Sequence, residues 1–402
     1  MGGVTLSPRS SAIAVLAVAL ATLASLSVWS AWQDPVEWTP DALYYQTRLL
    51  EVRGVDDDVA LERTFRGPIS ADLRSRDPGH TGDRAWVAYN EPFYQRRLAV
   101  PAAGAAIYPL AGDRSLLYLS LVGYVASVLA LFGLLLLRFR IMIAGLVAAA
   151  AALLPPLTNH ASYPLTDSWW LALEITALAA AVLAFDRGLR WLPLWVGAIG
   201  LLAFTRDSSW IPILAVGWCA LRYRSRVPVT LFVTGVAAAL PALLLFATPV
   251  RDLLALLVND SEPSSDTSWG FILGHYPGAL VELVRANVGF LRRGEWYTAL
   301  YLVGGVLALL LLVWRRRDTR SEATTLMTAA AVCALGYVLA APVFSAFRLE
   351  LVFVPMAAYG LALTAELAIA RVAARDGSQV LRPLDRSQEG HSDRPTERAQ
   401  VV

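Results

Sequence analysis

The stretch SYPLTDSWWLALE, residues 162–174, joins the end of one apolar run to the start of the next. Asp167 lies where the second run begins, and Glu174 follows seven residues later inside it. Seven residues are about two helical turns, so on one helix both carboxylates share a face, with Glu174 about 10 Å further along the axis. A carboxylate at mid-membrane costs about 2.5–3.5 kcal/mol, so we expect this face to point at protein or a polar cavity rather than at lipid.

The composition of the whole chain is that of a membrane protein. Its 402 residues are 56% hydrophobic and only 16% charged, whereas about a quarter of a typical soluble domain is charged. The formal net charge of +2 argues against a nucleic-acid partner. The chain has no lysine, which excludes Schiff-base chemistry and a P-loop lysine, and its Ala/Arg/Val bias indicates a GC-rich bacterial genome. Cys219 and Cys333 both lie in apolar runs, as is typical of core residues rather than of a disulfide or metal site.

Ten apolar runs are long enough, or nearly so, to cross a bilayer. They lie near residues 11–32, 116–137, 141–157, 169–185, 191–204, 210–221, 228–247, 298–314, 325–342 and 351–370. We therefore predict an all-α integral membrane protein with about ten transmembrane helices and two long external segments containing interfacial helices. The runs at 191–204 and 210–221 are short, so each is open to interpretation as a tilted, broken or merged helix.

This pattern divides the chain into six predicted parts. They are an N-terminal membrane anchor helix (1–32), an external segment with amphipathic or interfacial helices (33–115), a transmembrane core (116–247), an external segment with an interfacial helix (248–297), C-terminal transmembrane helices (298–370) and a disordered cytoplasmic tail (371–402).

The placement of arginine predicts the orientation. The segments RFR (138–140), DRGLR (186–190), RYRSR (222–226) and RRRDTR (315–320) and the tail fall on one side of the ten spans. The positive-inside rule makes that side cytoplasmic. We therefore expect a multi-pass protein of the plasma (inner) membrane with both termini in the cytoplasm.

Two motifs stand out in the first external segment. WTPDALYYQTRLLEVRG (38–54) predicts a helix with Thr39 as its N-cap, Pro40 at its first position and Gly54 after its end, which places Asp41 in the first turn. An acid there also simply complements the helix dipole. In NEPFYQRRLAVPAAGAAIYPL (90–110), paired arginines precede an apolar run broken by prolines, which favours an interfacial segment. Such arginines suit a lipid phosphate, or they snorkel to headgroups.

The predicted topology places acids, arginines and aromatic residues on one membrane face, which suits catalysis on a lipid-linked phosphate. A flexible turn and a helix lying in the membrane plane, HYPGALVELVRANVGFLRRGEW (275–296), belong to the same face. We interpret Asp41 and Asp167 as catalytic candidates. Candidates for binding substrate or lipid phosphate are Arg96, Arg97, His160, Tyr163, Glu174, Arg206, Asp207, His275, Arg292, Arg293 and Arg348.

The order of these motifs resembles the multi-spanning C-type (GT-C) glycosyltransferases, as a bacterial, actinobacterial-like member. The resemblance rests on an N-terminal span, TPDALYY at its exit, PFYQRRLAVP before the next span and SYPLTDSWW after it. It implies a polyprenyl-phosphate-linked sugar donor, a bilayer partner, a cell-envelope role and hexosyl or pentosyl transfer with inversion on the non-cytoplasmic face. It also implies that Asp41 is the general base, that Asp167 positions acceptor or metal, and that Arg96 or Arg97 neutralises the carrier phosphate.

The chain departs from better-known members in lacking a paired acidic motif at Asp41 and a large soluble C-terminal domain. Cofactor use stays open: a divalent cation fits the resemblance, but no cofactor motif is evident. A partly desolvated Asp41 is expected to have a raised pKa. GGVLALLLL (304–312) is too weak a pattern to predict helix pairing. A transporter or lipid flippase, or a non-catalytic scaffold that retains the fold, is the alternative function.

Overall fold

The computed structural model describes residues 7–34, 36–246, 250–259, 264–292, 295–315, 321–340, 342 and 348–375. Every regular element within these ranges is helical, so the predicted all-α fold is confirmed. The α-helices are α1 (Pro8–Ser27), α2 (Trp29–Gln33), α3 (Pro40–Val52), α4 (Asp57–Arg66), α5 (Ala71–Arg76), α6 (Pro78–Gly82), α7 (Arg84–Asn90), α8 (Ala99–Ala111), α9 (Ser115–Leu136), α10 (Ile141–Ala152), α11 (Pro155–Ala161), α12 (Asp167–Arg187), α13 (Leu192–Ala203), α14 (Trp210–Tyr223), α15 (Arg226–Leu245), α16 (Val250–Val258), α17 (Trp269–Arg292), α18 (Trp296–Ala299), α19 (Gly305–Arg315), α20 (Glu322–Ala340) and α21 (Val354–Arg375).

Seven helical stretches in the described part of the chain are long and apolar enough to cross a membrane. They are Pro8–Ser27, Ala99–Leu136, Asp167–Arg187, Arg226–Leu245, Trp296–Arg315, Glu322–Ala340 and Leu349–Ala374. An eighth is formed by α10 and α11 together, which are bent by 62° at the break before Pro155. The two remaining predicted runs are the short helices α13 and α14, of 12 and 14 residues, which stay separate rather than merging.

The span that begins at Ala99 differs from the sequence-based picture. The segment expected to lie in the interface is helical from Ala99 to Ala111 and continues through a short 3-10 turn into α9, so the two together form one 38-residue apolar stretch. At the other end of the chain, α21 continues past the predicted end of its span at Ala370 to Arg375. Residues 376–402, the rest of the predicted tail, lie outside the described residues.

The segment between α2 and α9 folds into a layer of short helices with a core of its own. Thr39 caps α3 by accepting a hydrogen bond from the backbone N–H of Ala42, and Gly54 closes its C-terminal end at φ 84°, as the sequence predicts. The α3 side chains Tyr44, Tyr45, Leu49 and Leu50 are fully buried among residues of α4, α7 and α8. This layer therefore holds the first turn of α3, which carries Asp41, in a fixed place.

The transmembrane bundle is arranged around α12. This helix packs against α9 and α13, and its residues from Trp170 to Ala184 are almost all buried. Helix α14 packs between α15 and α20, and α21 packs against α19 and α10. The N-terminal ends of α3 and α12 and the segment before α14 meet beneath the layer of short helices.

The segment between α15 and α18 contributes α16 and α17, which pack on each other through Ala255, Val258 and Ile272. Helix α17 is 24 residues long but is not among the stretches apolar enough to span. Two hydrogen bonds fasten it to the rest of the molecule: the Tyr276 hydroxyl donates to the backbone carbonyl of Leu339, and the Asn287 amide donates to Glu350 over 3.0 Å.

Candidate active site

Five segments that are far apart in sequence bring charged side chains together at one cavity of about 650 Å³, and the side chains of all but α12 line it. Asp41 comes from the first turn of α3 and Arg97 from the turn before α8. Asp167 is the first residue of α12, Arg206 precedes α14, and Arg348 precedes the 3-10 turn that leads into α21. The two predicted catalytic acids and three of the predicted arginines are therefore brought together.

Arg348 bridges the two acids. Its Nε and Nη2 donate to the two oxygens of Asp167 over 2.7 and 2.8 Å, and its Nη1 donates to Asp41. This planar, two-pronged contact with Asp167 is the geometry that a guanidinium provides and an ammonium does not. The Asp167 side chain is 1% exposed, whereas that of Asp41 is 26% exposed. Asp41 is therefore the carboxylate that a molecule in the cavity can reach.

Arg206 neutralises the remaining charge on Asp167. It donates to the same carboxylate and lies over the Trp170 ring at 4.7 Å, and only about 5% of the residue is exposed. Thr166 occupies the N-cap position of α12 but does not cap the helix with its side chain. Its hydroxyl lies 3.3 Å from that of Tyr45, because α3 is close enough here to supply a partner.

Tyr94 also contacts Asp41, and Arg97 packs against Tyr94. The Tyr94 hydroxyl donates to Asp41 over 2.5 Å, and its ring stacks on Tyr44 at 4.4 Å. Arg97 lies over the Tyr94 ring and donates to the Tyr45 hydroxyl over 2.9 Å. Among the described residues Arg97 contacts no carboxylate, so its charge is the one most available to an anion in the cavity.

The ionisation of Asp41 differs from the expectation. Burial by itself raises the pKa of this carboxyl, but the Arg348 guanidinium, the Tyr94 hydroxyl and Arg97 outweigh it and hold the pKa below its usual value of 3.8. The predicted raised pKa is therefore wrong. Burial and the charge of Asp41 raise the pKa of the Tyr94 phenol well above 10.0, so Tyr94 stays protonated and keeps donating to Asp41.

The cavity combines this polar end with an apolar wall. Asp207 lines it and is paired with Arg96, so four guanidinium groups surround three carboxylates and one positive charge is left over. Five apolar side chains of α16 complete the wall; these are Val250, Leu253, Leu254, Leu256 and Leu257. An anionic head with an apolar tail matches this arrangement.

Two further predicted residues line the cavity, and three others that the structure describes lie away from it. His160 and Tyr163 are among the lining residues. Glu174 shares the face of Asp167 as expected but is fully buried below the cavity, where the Trp170 indole is its polar neighbour and neither oxygen makes a well-aligned hydrogen bond. His275 is exposed on α17 and contacts the Phe271 carbonyl. Arg292, at the end of α17, is not in the lining either, and Arg293 lies outside the described residues.

Three tyrosines of the site were not predicted. Tyr94 and Tyr45 hold Asp41 and Arg97, and Tyr337 of α20 lies beside Arg206 in the lining. In the sequence, Tyr44 and Tyr45 follow Asp41 at helical spacing, and aromatic residues at such spacing are typical of a core. The available signal was the closeness of Tyr94 to the paired arginines in PFYQRR.

The donor set does not form a metal centre as it stands. The described residues contain no group of three His, Cys, Asp or Glu side chains placed to hold an ion. Asp41 and Asp167 are instead both engaged by Arg348, and Asp167 also by Arg206. No step of the chemistry proposed below passes through a metal.

Fold and cavity together define a multi-spanning, all-α membrane protein with a buried carboxylate–guanidinium site beneath a layer of short helices. Its fold is similar to that of the Archaeoglobus fulgidus oligosaccharyltransferase, whose crystal structure is a complex with Zn and sulfate, at a TM-score of 0.52 and 15% sequence identity. The match covers 90% of this chain and 50% of the other, so this chain spans half the length of that protein. No protein-family model and no curated protein matches the sequence.

Proposed function

We propose that the protein is a GT-C-type membrane glycosyltransferase that takes a hexose or pentose from a polyprenyl-phosphate carrier. The acceptor receives the sugar on the non-cytoplasmic face of a bacterial plasma membrane. The observation that carries this proposal is a cavity with an apolar wall that is lined by Asp41, Arg97, Arg206 and Arg348. Asp167 lies behind this lining, where it is paired with Arg206 and Arg348. The fold shared with an oligosaccharyltransferase supports it.

The two halves of the cavity match the two halves of such a donor. Arg97, which contacts no carboxylate in the described part of the chain, binds the carrier phosphate through its guanidinium fork. The leucines of α16 contact the first isoprenoid units of the carrier. The surplus positive charge favours the dianionic leaving group that forms as the sugar departs.

The reaction is an inverting displacement at the anomeric carbon. The acceptor hydroxyl loses its proton to Asp41 while its oxygen forms a bond to C1, and the bond from C1 to the phosphate oxygen breaks. The products are the glycosylated acceptor, polyprenyl phosphate and a protonated Asp41. The incoming phosphate competes with Asp41 for Arg348, and the loss of that ion pair makes Asp41 a stronger base.

Asp167 is a positioning residue in this scheme. Its side chain is 1% exposed and is enclosed by Arg206 and Arg348, so it does not meet the acceptor. It fixes the orientation of Arg348, which in turn reaches Asp41. Tyr94 has the same kind of role from the other side of Asp41.

The test is transfer of label in membranes that contain the full-length protein and a panel of radiolabelled polyprenyl-phosphate hexoses and pentoses. We expect Asp41→Asn to lower transfer at least 100-fold, since general-base catalysis contributes about 10²–10⁴. The control is Asp57→Asn, which changes a solvent-exposed acid of the same external segment. Unchanged transfer by Asp41→Asn at normal protein level removes Asp41 from the mechanism.

Arg97→Ala separates phosphate recognition from acceptor recognition. We expect it to raise the KM for the donor far more than the KM for the acceptor, whereas Arg66→Ala, at an exposed position of α4, changes neither. An equal rise in both KM values contradicts a role for Arg97 in binding the phosphate.

A further inference from the structure

A second cavity lies away from the candidate active site, on the surface of the bundle between α14, α15 and α20. It is a groove of about 710 Å³ whose lining is almost entirely apolar. Its rims are strongly exposed: Trp218 is 56% exposed, Leu221 74% and Val332 60%. In a chain that spans a membrane, this surface faces lipid rather than water, so the groove is open to a chain of the bilayer.

Close packing at one glycine gives the groove its shape. On α14 the lining residues Leu214, Gly217, Trp218 and Leu221 follow helical spacing and form one stripe. The Phe232 ring of α15 lies so near Gly217 that a Cβ there would be 2.9 Å from it. The ring therefore forms the floor, and the larger side chains of α14 and α20 form the walls.

One end of the groove is basic. Arg222 follows Trp218 by four residues on α14, and Arg226 precedes Val229 by three on α15, so each arginine continues the lining stripe of its helix. Arg224, in the turn between them, adopts a left-handed conformation at φ 53°. All three arginines are exposed, and none forms an ion pair with a carboxylate of the described residues.

The rest of this end is polar, and in the described part of the chain no carboxylate forms an ion pair with these arginines. The Tyr223 hydroxyl shares a hydrogen bond of 2.7 Å with Thr325 of α20. The nearby acid is Glu322 at the start of α20, which is half-buried and has Asp186 and Arg138 as its charged neighbours. The groove thus leads from an apolar floor to a polar rim carrying unneutralised guanidinium groups.

We propose that this groove binds one anionic phospholipid of the bilayer, with an acyl chain on Phe232 and Trp218 and the phosphate on Arg222 and Arg226. The site lies at the opposite end of α14 from Arg206, so it is distinct from the cavity that holds Asp41. Charge complementarity selects the headgroup, because arginine forks match phosphate oxygens and basic pockets between membrane helices bind anionic lipids. The length and apolarity of the groove select a lipid over free phosphate.

The experiment uses the purified full-length protein and phosphatidylglycerol that carries a photoreactive diazirine in one acyl chain. We expect adducts in peptides that contain residues 214–221 and 328–333. Unlabelled phosphatidylglycerol should compete for these adducts more strongly than phosphatidylcholine does. Each arginine near a membrane surface contributes about fivefold to anionic-lipid binding, so the double variant Arg222→Gln/Arg226→Gln should lose at least tenfold in apparent affinity.

Two control variants distinguish lipid bound in this groove from nonspecific contact with bulk lipid. Arg190→Gln removes an exposed arginine from another loop with the same change in charge, and it should leave the adducts unchanged. Val332→Trp fills the groove and should abolish the adducts although Arg222 and Arg226 are retained. The proposal is overturned if adducts are spread evenly around the bundle. It is also overturned if both lipids compete equally and the double variant does not change that competition. Inorganic phosphate that competes as well as the lipid also overturns it.

Discussion

At the scale of single residues, Asp41 and Asp167 of the candidate site differ in how far they are exposed to the cavity. Asp167 is enclosed and contacts two guanidinium groups, so removing it leaves buried positive charges unpaired, which typically costs about 3–5 kcal/mol. A variant at Asp167 therefore tests folding and function together. Asp41 is partly exposed and keeps its neighbours paired when it is replaced, since Arg348 retains Asp167. A substitution at Asp41 therefore tests function with less effect on folding than one at Asp167.

The depressed pKa of Asp41 has a consequence for stability. A group whose folded-state pKa lies below its unfolded value stabilises the fold above the unfolded value, here near 3.8, and stops doing so as the pH falls through the folded value. We expect the free energy of unfolding of the wild type to exceed that of Asp41→Asn by a constant amount above about pH 5. The difference should shrink below pH 3.8, where protonation breaks the contact with Arg348.

Unfolding of the purified protein in detergent, followed from neutral to strongly acid pH, measures this difference. Asp57→Asn, at an exposed position, is the matched control. A difference between wild type and Asp41→Asn that grows on acidification contradicts the ion pair with Arg348.

The sequence indicated the charged members of the site better than the neutral ones. Asp41, Asp167 and Arg348 stand out because charges beside apolar runs are costly and need a reason. Tyr94 does not stand out, because a tyrosine is as common in a core as in a site. The direction of the pKa shift of Asp41 was predicted wrongly, because burial can be foreseen from the sequence. The direct contact with Arg348, 307 residues away in the chain, cannot.

At the scale of elements, α19 and α21 cross in close contact at two glycines. A Cβ on Gly360 would lie 2.0 Å from the backbone oxygen of Gly305, and a Cβ on Gly305 would lie 2.4 Å from that of Ala357. Small residues at such a crossing let two membrane helices approach closely and gain dispersion contacts. The GG pattern that seemed too weak to predict pairing thus packs within the chain.

We therefore expect Gly360→Ala to destabilise the protein by about 1–3 kcal/mol, the usual effect of overpacking. Because backbone rather than a mobile side chain opposes the new methyl group, the helices must separate to admit it. Gly336→Ala in α20 is the control: no atom lies within 4 Å of its Cβ position, so better helix propensity should make it neutral or stabilising. Thermal unfolding of both variants in the same detergent tests this, and an equally stable Gly360→Ala contradicts the close crossing.

Helix limits were predictable where local chemistry sets them. Thr39, Pro40 and Gly54 bound α3, and the prolines at 155 and 156 break the run that begins at Ile141. The position of α17 was not predictable. Its apolar residues and arginines suggested contact with the substrate, but its contacts to α16 and Glu350 turn His275 away from the cavity.

At the scale of the whole molecule, the helices separate two chemically different ends. Helix α12 starts at Asp167 in the candidate site and ends at Arg187, and its 21 residues span about 30 Å, the thickness of the hydrocarbon core. At its far end Arg138 pairs with Asp186 over 2.5 Å, and Arg140 pairs with Glu366 of α21 over 3.1 Å. Spans were readable from the sequence because each is local, whereas the meeting of five distant segments at Asp41 depends on packing that no single segment encodes.

The same separation predicts the topology. Since the arginine-rich loops lie at the far end from the candidate site, the positive-inside rule places that end in the cytoplasm and Asp41 outside. In a chain whose two native cysteines are replaced by alanine, we expect Asp57→Cys to react with a membrane-impermeant maleimide on intact cells. Arg190→Cys should react only after permeabilisation, because its loop shares the end that carries Arg138. Both positions are exposed, so burial does not protect either thiol. Labelling of both from the same side would place the acid of α3 and the basic loops on one face, which the length of α12 does not allow.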